Sequence, residues 1–310
     1  MTHLTAHHLS TLYTRLQQPK AAGGAGLSSS TAHHVHTLLH QALDDAMKLD
    51  LTPIDVADRV NAPKLRRKVV DPYTREEVNR LLAVARGDRL EALYLLAVTT
   101  GMRLGELLAL TWRQVDLTAA DGASVQIVAT IQHGTAGRWT LGEPKTHASR
   151  RCITVTPQAT RSLLRHQTRQ RAERAALLAA QGAREWQETD LVFTNIIGGL
   201  LDEGNVAKQS YRPLLQRAGL PYRNFHTLRH TCATLLLADG VPLHKVAALL
   251  GHANISITAD LYGHLAKSDY QRDTSASMGR LITFPEDDDY DASGTSDTRH
   301  GDGDGEEVAR

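Results

Sequence analysis

The chain has 310 residues, 41% of them hydrophobic, a formal net charge of +1 and two cysteines, Cys152 and Cys232. That length suits one large or two smaller domains with ample core, and two cysteines exclude a disulfide framework, so a reducing cytoplasm is the expected compartment. The start MTHLTAHHLS has no basic segment followed by an apolar run, and no apolar stretch reaches membrane-spanning length, so neither a secretory leader nor a spanning helix is expected.

The small net charge hides an asymmetry. From Glu286 to Arg310 ten acids meet two bases, a balance of −8, while residues 1–285 carry 33 bases against 24 acids, a balance of +9. A basic body with an acidic tail fits a polyanionic partner.

In chain order, residues 1–62 read as short helices. His8–Leu16 is the first. Thr31–Leu49 is the second, with Val35, Leu38, Leu39, Ala42 and Ala46 at helical spacing. Ile54–Val60 is the third, opened by Thr52-Pro53. Residues 63–73 form a linker holding Lys64, Arg66, Arg67 and Lys68, cations suited to phosphate contacts. A longer domain is expected over 74–284. Thr74 and Glu77 make a capping box ahead of Val78, Leu81 and Leu82. Helices follow at Leu90–Val98 and Leu104–Leu110. The period then drops to two: Val125, Ile127, Ala129 and Ile131 alternate as one strand, with further strands at Arg138–Leu141 and Cys152–Val155. Helices return at Pro157–Leu178, Asn205–Arg217, Thr227–Ala238 and Pro242–Leu250, with Gly240 and Gly251 placed to end them. A last helix holds Tyr262. Residues 285–310 are expected to be disordered. The fold class is therefore mainly α with a small antiparallel β-sheet.

Six side chains fit one pocket: Arg103, Lys145, His226, Arg229, His252 and Tyr262. Taken singly, each has an ordinary explanation, such as a surface arginine paired with Glu106 one turn later. Together they supply what phosphodiester exchange requires. Guanidinium forks hold the non-bridging oxygens and stay charged. Fixed donors of this kind are each worth about 10²- to 10³-fold when aimed at developing charge. A lysine on a turn supplies the proton that an alkoxide leaving group needs. A phenol with its pKa near 10 needs neighbouring cations or a base to act as nucleophile. A zinc set of His226, His230 and Cys232 finds no matching ligand group at zinc spacing.

The segment from Thr100 to Trp112, TGMRLGELLALTW, resembles the first conserved box of the tyrosine recombinase, or phage integrase, family. The run from His226 to His264 resembles the second: His-Thr-Leu-Arg-His-Thr, then Leu-Gly-His, then Tyr-Gly-His. Lys145 falls on the strand turn where that family carries its catalytic lysine. The resemblance covers about residues 74–270. It implies a tyrosine-recombinase catalytic fold over 74–284, preceded by a shortened helical DNA-binding domain over 1–62. It implies that Tyr262 attacks the scissile phosphate to form a 3′-phosphotyrosyl link, that Arg103, Arg229 and His252 hold the phosphate, that Lys145 protonates the leaving oxygen and that His226 assists proton transfer. It implies double-stranded DNA as partner, no metal or other cofactor, and a homo-tetramer joined through the segment after Tyr262, about His264–Ile282. The helical stretch before Pro63 is shorter than the family's usual DNA clamp, and no arm-site domain is expected. Two alternatives stand beside site-specific recombination: relaxation of DNA by a type IB topoisomerase, and a DNA-binding remnant without recombination activity.

Overall fold

The computed structural model describes residues 4–65, 71–118, 122–134, 139–143, 149–180, 185–252, 254 and 256. The chain divides into two units, Met1–Asp71 and Pro72–Arg310. Among the described residues no helix is long and apolar enough to cross a membrane.

Among its described residues the first unit is two helices and two short 3-10 turns. Helix α1 spans Ala6–Gln17 and is capped by Thr5, whose side chain accepts the His8 N–H. Helix α2 spans Ser29–Lys48, with Ser28 accepting from Thr31. Its inward face differs from the expected one. Ala32, Leu43 and Ala46 are buried, and Leu38 is 58% exposed. Leu39 packs on a small core of Leu9, Tyr13, Leu43, Val56 and Ala57. The apolar positions of α2 are broad enough to serve two faces, and contacts with α1 and with Val56 and Ala57 decide between them. The expected helix at Ile54–Val60 is one 3-10 turn, Val56–Arg59, because Asp55 caps Ala57 at 2.7 Å and the backbone turns extended again at Val60.

The second unit holds the large core. Helix α3 spans Arg75–Ala85 and opens with the Thr74–Glu77 capping box. Helix α4 spans Glu91–Thr100 and is apolar nearly all round, with Leu93, Tyr94, Leu96 and Ala97 fully buried. Such a helix belongs at the centre, and α4 packs on α3, on α6 (Pro157–Ala179) and on α9 (Thr227–Ala238). The Tyr73 N–H donates to Thr231 Oγ1 at 3.0 Å, pinning the start of this unit to α9.

Helix α5 spans Leu104–Leu108. The strands follow: β1 (Val115–Asp116), β2 (Ser124–Ile127), β3 (Thr130–His133), β4 (Trp139–Gly142) and β5 (Arg151–Thr154). They form two antiparallel sheets, one in the order β1-β2-β5 and one of β3-β4. The alternation from Val125 to Ile131 is therefore not one strand. It breaks at Val128-Ala129, leaving Val125 opposite Ile153 in one sheet and Ile131 opposite Leu141 in the other. Gly105 lets α5 meet β3: a Cβ there would stand 2.7 Å from Thr130 Oγ1 and 2.9 Å from Glu203 Oε1. The expected Asn205–Arg217 helix is continuous but uneven. Its front, Val206–Tyr211, is π-helical, between α7 (Glu203–Asn205) and α8 (Arg212–Arg217). Helix α10 spans Leu243–Leu250 and ends at Gly251 in the left-handed region (φ 68°).

Candidate active site

The site is built where helix ends from distant parts of the sequence converge. Helix α4 stops at Gly101, which adopts φ 63°. A side chain there is excluded twice over: left-handed backbone disfavours it, and a Cβ would come within 2.5 Å of Leu250 Cδ2. Two residues later Arg103 occupies the N-cap of α5. Its backbone N–H donates to Glu106 Oε2 at 3.0 Å, and its Nη1 donates to Glu106 Oε1 at 2.8 Å. The expected pairing with Glu106 is present, but Glu106 is a deeper group than a surface partner. Its side chain is 2% exposed, against 40% for Arg103.

A second guanidinium explains how that carboxylate stays charged. Arg151, at the start of β5, donates Nη2 to Glu106 Oε2 at 2.9 Å and Nη1 to Oε1 at 3.3 Å. Burial pushes the Glu106 carboxyl upward. The Arg151 hydrogen bond and charge, with Arg103 beside them, overcome that push and hold it below the usual carboxylate range. Arg151 also donates Nε to the Leu249 carbonyl at 2.7 Å. Sequence reasoning missed this residue. A cation at the head of a short strand looks solvated, and its partner lies 45 positions away.

Arg229 repeats the theme. It is buried to 3% exposure on the first turn of α9. Its Nη1 donates to the Gly101 carbonyl at 2.7 Å and its Nη2 to the Leu250 carbonyl at 2.6 Å. The last carbonyls of a helix carry partial negative charge, so the ends of α4 and α10 suit this cation. The contacts close a ring. Gly101 leads through Arg229 to Leu250, its neighbour Leu249 leads through Arg151 to Glu106, and Glu106 leads to Arg103, two residues from the start.

Both expected histidines stand by this ring. His252 directly follows Gly251, and its N–H donates to the Ala247 carbonyl at 3.1 Å. Desolvation and then the charges of Arg229, Arg103 and Arg151 push its pKa down to about 4. His226 occupies the N-cap position of α9, its ring 4.9 Å from that of His230 and nearly perpendicular. The residue keeps an open edge to solvent, yet crowding by its neighbours and then the fields of His230, Arg229 and Arg103 push its pKa down to about 4. Both imidazoles are thus neutral near pH 7 and able to accept a proton or donate a neutral N–H. Cys232 is not part of this chemistry. Burial pushes its thiol up to about 12, with Arg229 opposing.

Arg103, Arg229, His226 and His252 are therefore electrostatic neighbours. Lys145 and Tyr262 lie outside the described residues, as do Arg66, Arg67 and Lys68 of the linker; Lys64 is exposed.

The profile of the phage integrase family matches residues 73–269, a span that includes all six expected site residues. The chain belongs to the phage integrase family. A tyrosine recombinase XerC-like protein of Caldanaerobacter subterraneus subsp. tengcongensis is 38% identical over 201 residues, covering 63% of this chain and 51% of that protein. An integrase of Streptomyces ambofaciens is 28% identical over 251 residues, covering 78% of this chain and 62% of the relative. The chain thus spans between half and two thirds of these curated relatives. Among solved structures, the Tn1549 transposon integrase in complex with a circular intermediate DNA aligns over 90% of this chain and 86% of that one, with a TM-score of 0.69 at 20% identity. That likeness establishes the mostly helical tyrosine-recombinase fold with small antiparallel sheets.

Proposed function

We propose that this integrase-family chain is a site-specific DNA recombinase that cuts and rejoins strands through a 3′-phosphotyrosyl intermediate. The observation that carries the reading is the ring joining Arg103, Glu106, Arg151 and Arg229, with His226 and His252 beside it. It concentrates positive charge and N–H donors of the kind a pentacoordinate phosphate needs.

The roles divide by chemistry. Arg103 and Arg229 donate to the non-bridging oxygens, and neutral His252 adds a third donor. Tyr262 Oη attacks phosphorus while the P–O5′ bond breaks. His226, neutral at working pH, accepts the phenol proton, and Lys145 gives its proton to the departing O5′. A 5′ hydroxyl from a second duplex then reverses the step. One phosphoester bond is lost and one gained each time, so the reaction runs without metal or nucleotide hydrolysis. Residues 1–62 and the linker cations Lys64, Arg66, Arg67 and Lys68 track the DNA backbone, where each neutralised phosphate releases a counterion. Residues 74–284 carry catalysis, and residues 285–310 are an acidic tail. Four chains assemble on two duplexes through His264–Ile282. The integrases and recombinases among its relatives favour strand exchange over topoisomerase-like relaxation or mere binding.

The test is to express the chain in cells, capture protein bound covalently to DNA and sequence what it holds. Recurrent sites that support exchange between two duplexes in vitro are the expected outcome. Relaxation of supercoiled plasmid without exchange would favour the topoisomerase reading.

A further inference from the structure

Among the described residues, one group of three ligating side chains has its donor atoms clustered: His40, Asp55 and Asp58 in the first unit. His40 projects from α2, Asp55 caps the 3-10 turn Val56–Arg59, and Asp58 lies within that turn.

Asp55 is the telling member. Its Oδ1 accepts the Ala57 N–H at 2.7 Å, which caps the turn. Its Oδ2 is buried and has no hydrogen-bond partner, on a side chain only 2% exposed. A buried carboxylate oxygen left unsatisfied is costly and rare. The group facing it is His40 Nδ1, 3.5 Å away. On its other side His40 Nε2 pairs with Asp58 Oδ1 at 2.8 Å.

These distances distinguish a proton from a metal. A good N–H···O bond spans about 2.7–3.2 Å, so 3.5 Å is long for a proton bridging Nδ1 and Oδ2. Two ligands of one tetrahedral zinc, each at roughly 2.0–2.2 Å from the ion, stand about 3.3–3.5 Å apart. The Nδ1–Oδ2 gap has that width. The Asp58 contact also fits. A ligating histidine generally donates its other ring N–H to a carboxylate, which fixes the tautomer and strengthens the ligand. We propose that His40 Nδ1 and Asp55 Oδ2 bind a divalent transition cation of the zinc class, with Asp58 orienting His40 and water completing the coordination. The imidazole–carboxylate pair suits zinc over magnesium or calcium, which prefer all-oxygen shells. Its effect is to staple α2 to the turn that follows it. Two protein ligands make the site weaker than a four-ligand structural zinc.

The inference does not rest on the catalytic reading, and its test does not read activity. The full chain, stripped with chelator, is titrated with zinc chloride by calorimetry beside three variants. His40→Gln removes one ligand. Asp55→Asn removes the other while keeping the Ala57 cap. Asp58→Asn leaves both ligands and should weaken zinc about 10- to 100-fold. The expected result is one zinc per chain that His40→Gln and Asp55→Asn both abolish, with zinc raising the unfolding temperature of the native chain and of neither of those variants. Other histidines on the chain bind zinc adventitiously, so the comparison decides. If both variants take up as much zinc as the native chain, or if the native chain binds none, the site does not exist and a proton alone bridges His40 to Asp55.

Discussion

The unit that begins at Pro72 buries Glu106, Arg151 and Arg229, and surrounds them with a core running from Tyr73 to Leu228. The unit that ends at Asp71 has a small apolar core, keeps His40 and Asp58 open to water, and buries a single carboxylate, Asp55. The difference shows what a large core permits. Several charged groups are held dry together at low cost where dense packing and several partners fix them at once. In the second unit those partners are helix-end carbonyls and one shared carboxylate. The first unit lacks that surrounding density and joins its elements with polar contacts at the rim, such as Tyr13 Oη to His36 Nδ1 at 3.0 Å.

Substitutions sharpen the contrast. The largest effect is expected from Glu106→Gln, which leaves Arg151 and Arg103 without their common counter-charge; the loss is about 3–5 kcal/mol, as for other broken buried pairs. Denaturant unfolding of the second unit reads it directly. A loss under about 1 kcal/mol would mean that water already reaches the pair. Arg151→Met comes next. It removes the link between Glu106 and the end of α10, so Arg103 and His252 lose register, and strand cleavage falls about 10²-fold, typical of an ångström-scale misplacement. DNA affinity should change little, and Arg151→Lys should restore part of the rate. A parallel drop in affinity would make Arg151 a direct DNA contact. The smallest effect belongs to the first unit: Tyr13→Phe gives up one hydrogen bond at the rim and costs about 1 kcal/mol.

Proton titration sets the two site histidines against His40 in sign. His226 and His252 have folded pKa values of about 4, below the ordinary 6.5. Their contribution to stability is fully present above about pH 6.5 and is lost as pH falls towards 4. His40 moves the other way. The Asp58 hydrogen bond leads in raising its pKa, so its contribution is present below the ordinary value and is lost as pH rises through the folded one. Imidazole chemical shifts followed against pH should show low midpoints for His226 and His252 and a high one for His40. Ordinary midpoints for His226 and His252 would remove the cation field from the site.

Much of this was legible in the sequence because it is local. The Thr74–Glu77 box, Gly101 and Gly251 mark helix ends with residues whose chemistry requires the position. Arg103 with Glu106 and His226 with Arg229 are written at helical spacing. What sequence reading missed depends on distant partners. Arg229 was expected at the phosphate, but nothing local reveals the two carbonyls from other helices that hold it buried. Arg151 was invisible because nothing near it in sequence names Glu106. The strand break at Ala129 arises because two sheets share one alternating stretch. Helix α2 buries a face that α1 and the turn Val56–Arg59 define together.

The proposed function requires that a phenol attack a phosphate held by the cation ring. A duplex carrying a mapped site, nicked so that the cleaved end diffuses away, should trap protein on DNA. Mass spectrometry of the digested adduct should place the nucleotide on Tyr262 through a 3′ phosphate, and Tyr262→Phe should yield no adduct. A nucleotide on any other residue, or an adduct that survives Tyr262→Phe, would contradict it.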